Sequence, residues 1–246
     1  MSFTYQTEAE ELEPEEEQHS GPPVQQPVPY YTYILVGAII AVAIVQFGTG
    51  IEASILAAGF DKSAFLSNRE YWRILTGAAV HGGLAHIAMN SFAFYSFGKI
   101  FEILTNRAHM AIVFLLSAVG GGILSLIFAP EGISVGASGG IVGLISYLAV
   151  YTFRRRQFIT PAFRKSLLMN IGFIIVFGLV LYQVIDNFGH IGGLITGAAY
   201  GFIQISSDAY ADPRIVGQGV QLAGLISLGI YLATCCFAVL LILRII

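Results

Sequence analysis

Residues 110–130 read MAIVFLLSAVGGGILSLIFAP, an unbroken run without one charged side chain. An α-helix needs about 20 predominantly apolar residues to cross a hydrocarbon core about 30 Å thick, so this run is long enough to span a bilayer. The same reading holds outward in both directions. Uncharged runs also occupy Tyr31–Ile51, Ile74–Gly98, Gly132–Phe153, Ser166–Ile185, Asn187–Ser207 and Ile215–Leu243. Seven spanning helices are predicted. None of the runs alternates with the period of two that a barrel strand needs, so the expected class is an all-α polytopic membrane protein.

Composition supports this. The 246 residues are 56% hydrophobic and only 11% charged, less than half the roughly 25% charged residues of a soluble domain. A net charge of −3 provides no basic field to attract nucleic acid. Cys235 and Cys236 are adjacent inside an apolar run, which reads as packing and not as a disulfide framework or metal site.

The charges divide the chain. Seven of the 15 acidic residues lie between Glu8 and Glu17, and five of the eight prolines between Pro14 and Pro29. Such a stretch cannot bury enough apolar surface to offset its ordering entropy, so residues 1–29 are expected to be a disordered tail. It lacks the features of a cleavable secretory signal. Residues 30–207 then hold six spans and 215–246 a seventh. Lys and Arg concentrate on cytoplasmic loops. With seven spans, one side carries eight of them, including the cluster from Arg154 to Lys165, and the other carries Lys62, Arg69, Arg73 and Arg244. The N-terminus is expected in the cytoplasm and the C-terminus outside.

Strongly polar side chains inside a span are costly and mark function. His86 and Asn90 are spaced i, i+4 in the second span, on one helix face. The fourth span carries Gly136-Ala137-Ser138-Gly139-Gly140, and the sixth opens with Asp186-Asn187-Phe188-Gly189-His190. Spans two, four and six all enter from outside, so His86, Asn90, Ser138 and His190 are expected in one layer below the outer surface. A serine hydroxyl needs an adjacent base to become a nucleophile, and a neutral imidazole can be that base. Gly193, Gly197 and Gly201, with Gly136, Gly139, Gly140 and Gly143, give the two helices small faces that approach closely in lipid. His86, Asn90 and the Ser138 backbone N–H are suitable donors for an oxyanion. Taken singly, each has a plainer reading: Ser138 as a helix hydrogen bonder, His86 or His190 in a proton relay, Asn90 as interhelical glue.

The order Trp72-Arg73, His81-Gly82-Gly83-Leu84-Ala85-His86-Ile87-Ala88-Met89-Asn90, Gly136-Ala137-Ser138-Gly139 and Gly189-His190-Ile191-Gly192-Gly193 resembles the rhomboid intramembrane serine proteases. The resemblance runs over residues 31–207 and implies a rhomboid-like six-helix bundle plus one C-terminal transmembrane helix. It implies Ser138 as nucleophile and His190 as general base, a dyad without an acidic third member, with His86 and Asn90 stabilising the oxyanion. It further implies structural roles for Trp72, Arg73, His81, Gly98 and Glu102. Two positions depart from the pattern: Val142 stands where an aromatic residue is usual, and Asn106 where a glycine is. Asp186, one turn before His190, is a possible but disfavoured third member. His109, expected in a cytoplasmic loop, and His19, in the tail, read as bystanders.

The implied activity is endopeptidase cleavage, without cofactor or metal, in or near the transmembrane segment of single-span membrane proteins that enter from lipid. The compact chain and the lack of a targeting sequence point to a bacterial plasma membrane, with the site open to the outer face. Oligomeric state is left open. Alternatives are disfavoured on named residues. No His-Glu-x-x-His occurs for a zinc protease. Asp61, Asp186, Asp208 and Asp212 form no pair in facing spans. Inactive rhomboid relatives that act as binding or quality-control modules typically lack the serine or the histidine. A transporter would spread polar groups through the bilayer depth, whereas here they gather in one layer.

Overall fold

The computed structural model describes residues 28–208 and 210–245; most of the acidic Pro-rich stretch lies outside them. Seven long helices dominate. They are α1 (Tyr30–Thr49), α5 (Leu84–Leu104), α6 (Arg107–Phe128), α7 (Ser138–Arg154), α8 (Pro161–Val180), α9 (Asn187–Gln204) and α10 (Gln218–Ile242). Between α1 and α5 lie three short helices, α2 (Ile51–Ala58), α3 (Lys62–Ser67) and α4 (Arg73–Thr76), and the two-residue strand β1 (Phe60–Asp61). Strand β2 (Ile133–Ser134) pairs antiparallel with it, Phe60 opposite Ser134 and Asp61 opposite Ile133. The chain is an all-α polytopic membrane protein.

Four of the long helices, α1, α6, α8 and α10, are by themselves long and apolar enough to cross a membrane. The other three, α5, α7 and α9, are diluted by polar residues and glycine or are shorter, and they carry His86, Asn90, Ser138 and His190. Of these three, α7 is the most buried.

Local chemistry sets the helix ends. The Thr160 hydroxyl accepts from Phe163 N–H ahead of Pro161 at the first helical position, the place where a missing N–H costs nothing. The Asn106 side chain accepts from Ala108 N–H at 2.8 Å and donates to the Arg214 carbonyl at 2.8 Å. This cap starts α6 three residues before the uncharged run, which corrects one expectation. His109 lies inside α6, not in a loop, 3% exposed, with its Nδ1 2.9 Å from Tyr200 Oη on α9. The second span also differs. Its helix begins at Leu84 rather than near Ile74, because Gly77, Gly82 and Gly83 (φ +144°) break the uncharged run.

Helix α9 sits between α6 and α7, and glycine permits both contacts. A Cβ on Gly192 would lie 2.5 Å from the Gly120 carbonyl oxygen of α6. On the other face, Cβ atoms on Gly193 and Gly197 would collide with the Gly139 and Gly143 carbonyls of α7. Backbone touches backbone here, the closest packing two helices allow. Helix α10 packs on α1 and α6, where Gly224 meets Ala108, and reaches α2 and α4. Helix α8 leans chiefly on α7 and buries only Leu167 and Gly178. Cys235 is buried and Cys236 faces outward; both are free thiols.

Candidate active site

Ser138 is the first residue of α7 and His190 lies in the first turn of α9. The glycine contacts between these helices bring the two side chains together, with Ser138 Oγ 2.8 Å from His190 Nε2. That is an ordinary O–H···N hydrogen-bond distance. For the hydroxyl to donate, the imidazole proton must sit on Nδ1, and that buried atom has no partner among the described residues.

Asp186 has a different job from orienting this ring. Its carboxylate caps α9, accepting from Gly189 N–H at 2.8 Å, and also accepts from the hydroxyls of Ser125 on α6 (2.5 Å) and Ser134 on β2 (2.6 Å). One carboxylate thus ties α6, α9 and the strand before Ser138 together. Buried Lys62 bonds the Glu131 carbonyl at 3.4 Å. Burial pushes its ammonium pKa down, and the charge of Asp186 opposes this.

A second pair of polar groups converges on Gly136. His86 Nδ1 accepts from Gly82 N–H at 3.3 Å, so the neutral ring carries its proton on Nε2. Gly136 has φ +117°, and a Cβ there would meet His86 Nε2 at 2.7 Å and Asn90 Nδ2 at 3.3 Å. Asn90 Nδ2 is buried without a partner. Two free N–H donors therefore point at the backbone two residues before Ser138, and only glycine leaves them room. A cavity of about 50 Å³, lined by Gly136, Ser138, Asp186 and His190 among others, opens beside them. At about 10–15 Å³ per water it admits a few molecules. Among the described residues no group of His, Cys, Asp and Glu is arranged to hold a metal ion.

Residues 77–81 form the floor beneath Ser138. Gly136 N–H donates to the Gly77 carbonyl at 2.9 Å, and Ala137 N–H reaches His81 Nε2 at 3.5 Å. The His81 backbone is held by the Gln46 amide through two bonds of 2.9 and 3.1 Å. Arg73 donates to the Gly59 and Leu56 carbonyls and pairs with Glu70, which fixes the α2–α4 connection. Trp72 packs edge-on against Phe237 of α10. At the far end of the bundle, Glu102 accepts from the N–H and hydroxyl of Thr32, both at 2.6 Å, across the close approach at Gly98.

A profile of the Rhomboid domain matches residues 68–207, more than half of the chain. The chain belongs to the rhomboid family. It is 35% identical over 145 residues to RHOMBOID-like protein 6, mitochondrial, of Arabidopsis thaliana, a match covering 58% of this chain and 47% of that protein. It is 30% identical over 176 residues to Rhomboid protease GluP of Bacillus subtilis (strain 168), covering 69% and 34% respectively. It is also 31% identical over 135 residues to Inactive rhomboid protein 1 of Papio anubis, covering 54% and 16%. The matched region is less than half the length of each of these relatives.

Sequence reasoning missed several of these features. Nothing in the spacing signals the triple role of Asp186, the α6 glycines Gly120 and Gly121, or the Gln46 bracket on His81. The run Gly120-Gly121-Gly122 was the available hint, since three glycines inside an apolar helix lower its stability unless another backbone uses the space.

Proposed function

We propose that this rhomboid-family protein is an intramembrane serine endopeptidase that uses Ser138 and His190 as a dyad. The observation that carries the reading is the 2.8 Å approach of Ser138 Oγ to His190 Nε2 beside a cavity that admits water. Ser138 Oγ bonds the carbonyl carbon of the scissile peptide while its proton passes to His190 Nε2. The developing oxyanion is stabilised by His86 Nε2–H and Asn90 Nδ2–H, donors already oriented before substrate arrives. Collapse breaks the C–N bond, and His190 returns the proton to the leaving amine. Water then attacks the acyl-enzyme with His190 as base, and the serine is regenerated.

The substrates are single-span membrane proteins cut in or near the segment that lies in the outer leaflet. An intact helix shields its own carbonyls, so the cut segment must unwind to reach Ser138. The arginine cluster from Arg154 to Arg164 lies on the cytoplasmic face by the charge rule, which opens the site to the other side. A bacterial plasma membrane fits this arrangement, and one relative, the Bacillus subtilis protease, is bacterial. The likeness to an inactive relative supports a second reading, a binding module that holds membrane proteins without cutting them. The retained serine–histidine pair weighs against it.

The test is cleavage of a single-span reporter in liposomes by the wild type, Ser138→Ala and His190→Ala. A cut in the outer segment that either substitution abolishes supports the dyad, and each alone should cost about as much as both together. A wild type that cuts none of several reporters but retains them on purification establishes the binding module instead.

A further inference from the structure

The floor under Ser138 is held from two directions. Helix α4 ends at Thr76, and the carbonyls that follow have lost helical partners. The Gly77 carbonyl takes Gly136 N–H, and the His81 carbonyl takes the Gln46 amide of α1. The Ala78 carbonyl takes the phenol of Tyr231, at 2.8 Å, from the middle of α10. Tyr231 and His81 are each 1% exposed, and Ala79 and Val80 not at all. The phenol is buried, the Ala78 carbonyl belongs to a buried residue that also lines the cavity beside Ser138, and the Tyr231 ring packs edge-on against Phe114 at 4.9 Å. From Tyr231 to the serine the path is one hydrogen bond, one peptide unit (Gly77–Ala78), a second hydrogen bond and two residues.

We infer that Tyr231 is a positioning residue for the dyad, through which the C-terminal helix sets the height of the Gly136–Ser138 turn. It touches neither substrate nor reacting atoms. Its phenol fixes the Ala78 carbonyl, hence the Gly77 carbonyl, hence the N–H of the glycine that faces His86 and Asn90. Helix α10 is then part of the catalytic architecture and not an appended anchor. This inference rests on the proteolytic reading above.

The experiment uses the full chain in liposomes and compares the wild type, Tyr231→Phe and Thr234→Val. Thr234 is the matched control, a buried hydroxyl on the same helix that bonds only its own helix, at the Ile230 carbonyl. Tyr231→Phe keeps the ring and removes one oxygen. It should lower kcat on the order of tenfold, since small misplacements of catalytic groups carry costs of that size, while KM stays within twofold. The rate of fluorophosphonate labelling at Ser138 should fall in parallel, without any protein substrate. Thr234→Val should leave both rates unchanged. Wild-type kcat and labelling in Tyr231→Phe, with only a lower Tm, would overturn the inference and leave a purely structural bond. A wild type that neither cleaves nor labels overturns the proteolytic reading, and this inference with it.

Discussion

Replacing Gly193 with alanine exchanges a hydrogen for a methyl group at the point where α9 lies against α7. The new Cβ would fall on the Gly139 carbonyl oxygen, 2.9 Å from its carbon and 3.2 Å from the Gly139 Cα. Every one of these atoms is backbone in a buried helix, so no side chain can swing away. Restoring an ordinary carbon–oxygen contact requires the helices to part by about 1 Å, and overpacking of this kind costs about 1–3 kcal/mol. Gly139 follows Ser138 directly, and Gly193 is less than one turn from His190. The same displacement stretches the 2.8 Å Ser138–His190 contact toward about 3.8 Å, beyond hydrogen-bond range. We expect Gly193→Ala to lower kcat by about a hundredfold and to depress the Tm, measured by reporter cleavage in liposomes and by thermal unfolding in detergent. Gly37→Ala is the control, because its Cβ meets nothing within 4 Å on the exposed face of α1. It should leave activity intact and stabilise by about 0.5–1 kcal/mol. Wild-type kcat together with a wild-type Tm in Gly193→Ala would refute the claim that backbone contact sets the dyad.

Three further outcomes are expected. If the site works as proposed, Asn90→Ala removes an oxyanion donor and should lower kcat by about 10²–10³ with little change in KM, read from initial rates over a range of reporter concentrations. Asp186→Ala deprives Ser125, Ser134 and the Gly189 N–H of their common acceptor; unfolding should show a loss of about 2–3 kcal/mol, accompanied by a fall in kcat that Asp186→Asn partly restores. Glu102→Ala takes the acceptor from the Thr32 N–H and hydroxyl and should lower Tm while the cleavage rate per folded molecule, well below that Tm, stays at the wild-type value.

Much of the architecture was legible because charge is nearly absent from lipid-spanning segments, and each of the seven uncharged runs overlaps one long helix. Boundaries were less legible. An uncharged run shows where a helix can lie in lipid, not where glycine breaks it, and so Ile74–Gly83 reads as span while folding as α4 and the floor under Ser138. The approach of Ser138 to His190 follows the glycine spacing on α7 and α9, which is periodic and therefore visible. Asp186 and Tyr231 were illegible for a common reason. Apart from the local Gly189 cap, their partners are a backbone carbonyl or hydroxyls 52 to 153 positions distant in the chain, and a carbonyl awaiting a donor leaves no mark on residue identity. His109 misled because its charge-bearing neighbour Arg107 resembles a loop, whereas the Asn106 cap places it inside α6.

The glycine seam between α7 and α9 makes the route of mutational drift one-sided. Where side chains set the distance between two catalytic groups, substitutions can shorten or lengthen it and later changes can compensate. Here the distance is a sum of main-chain radii, already at its minimum, and every single substitution along the seam adds atoms. Inheritance can therefore only push the serine and histidine apart. A lineage that loses the seam regains the chemistry by reverting to glycine at that same position, which leaves such a line with an active form or an inert one and few grades between.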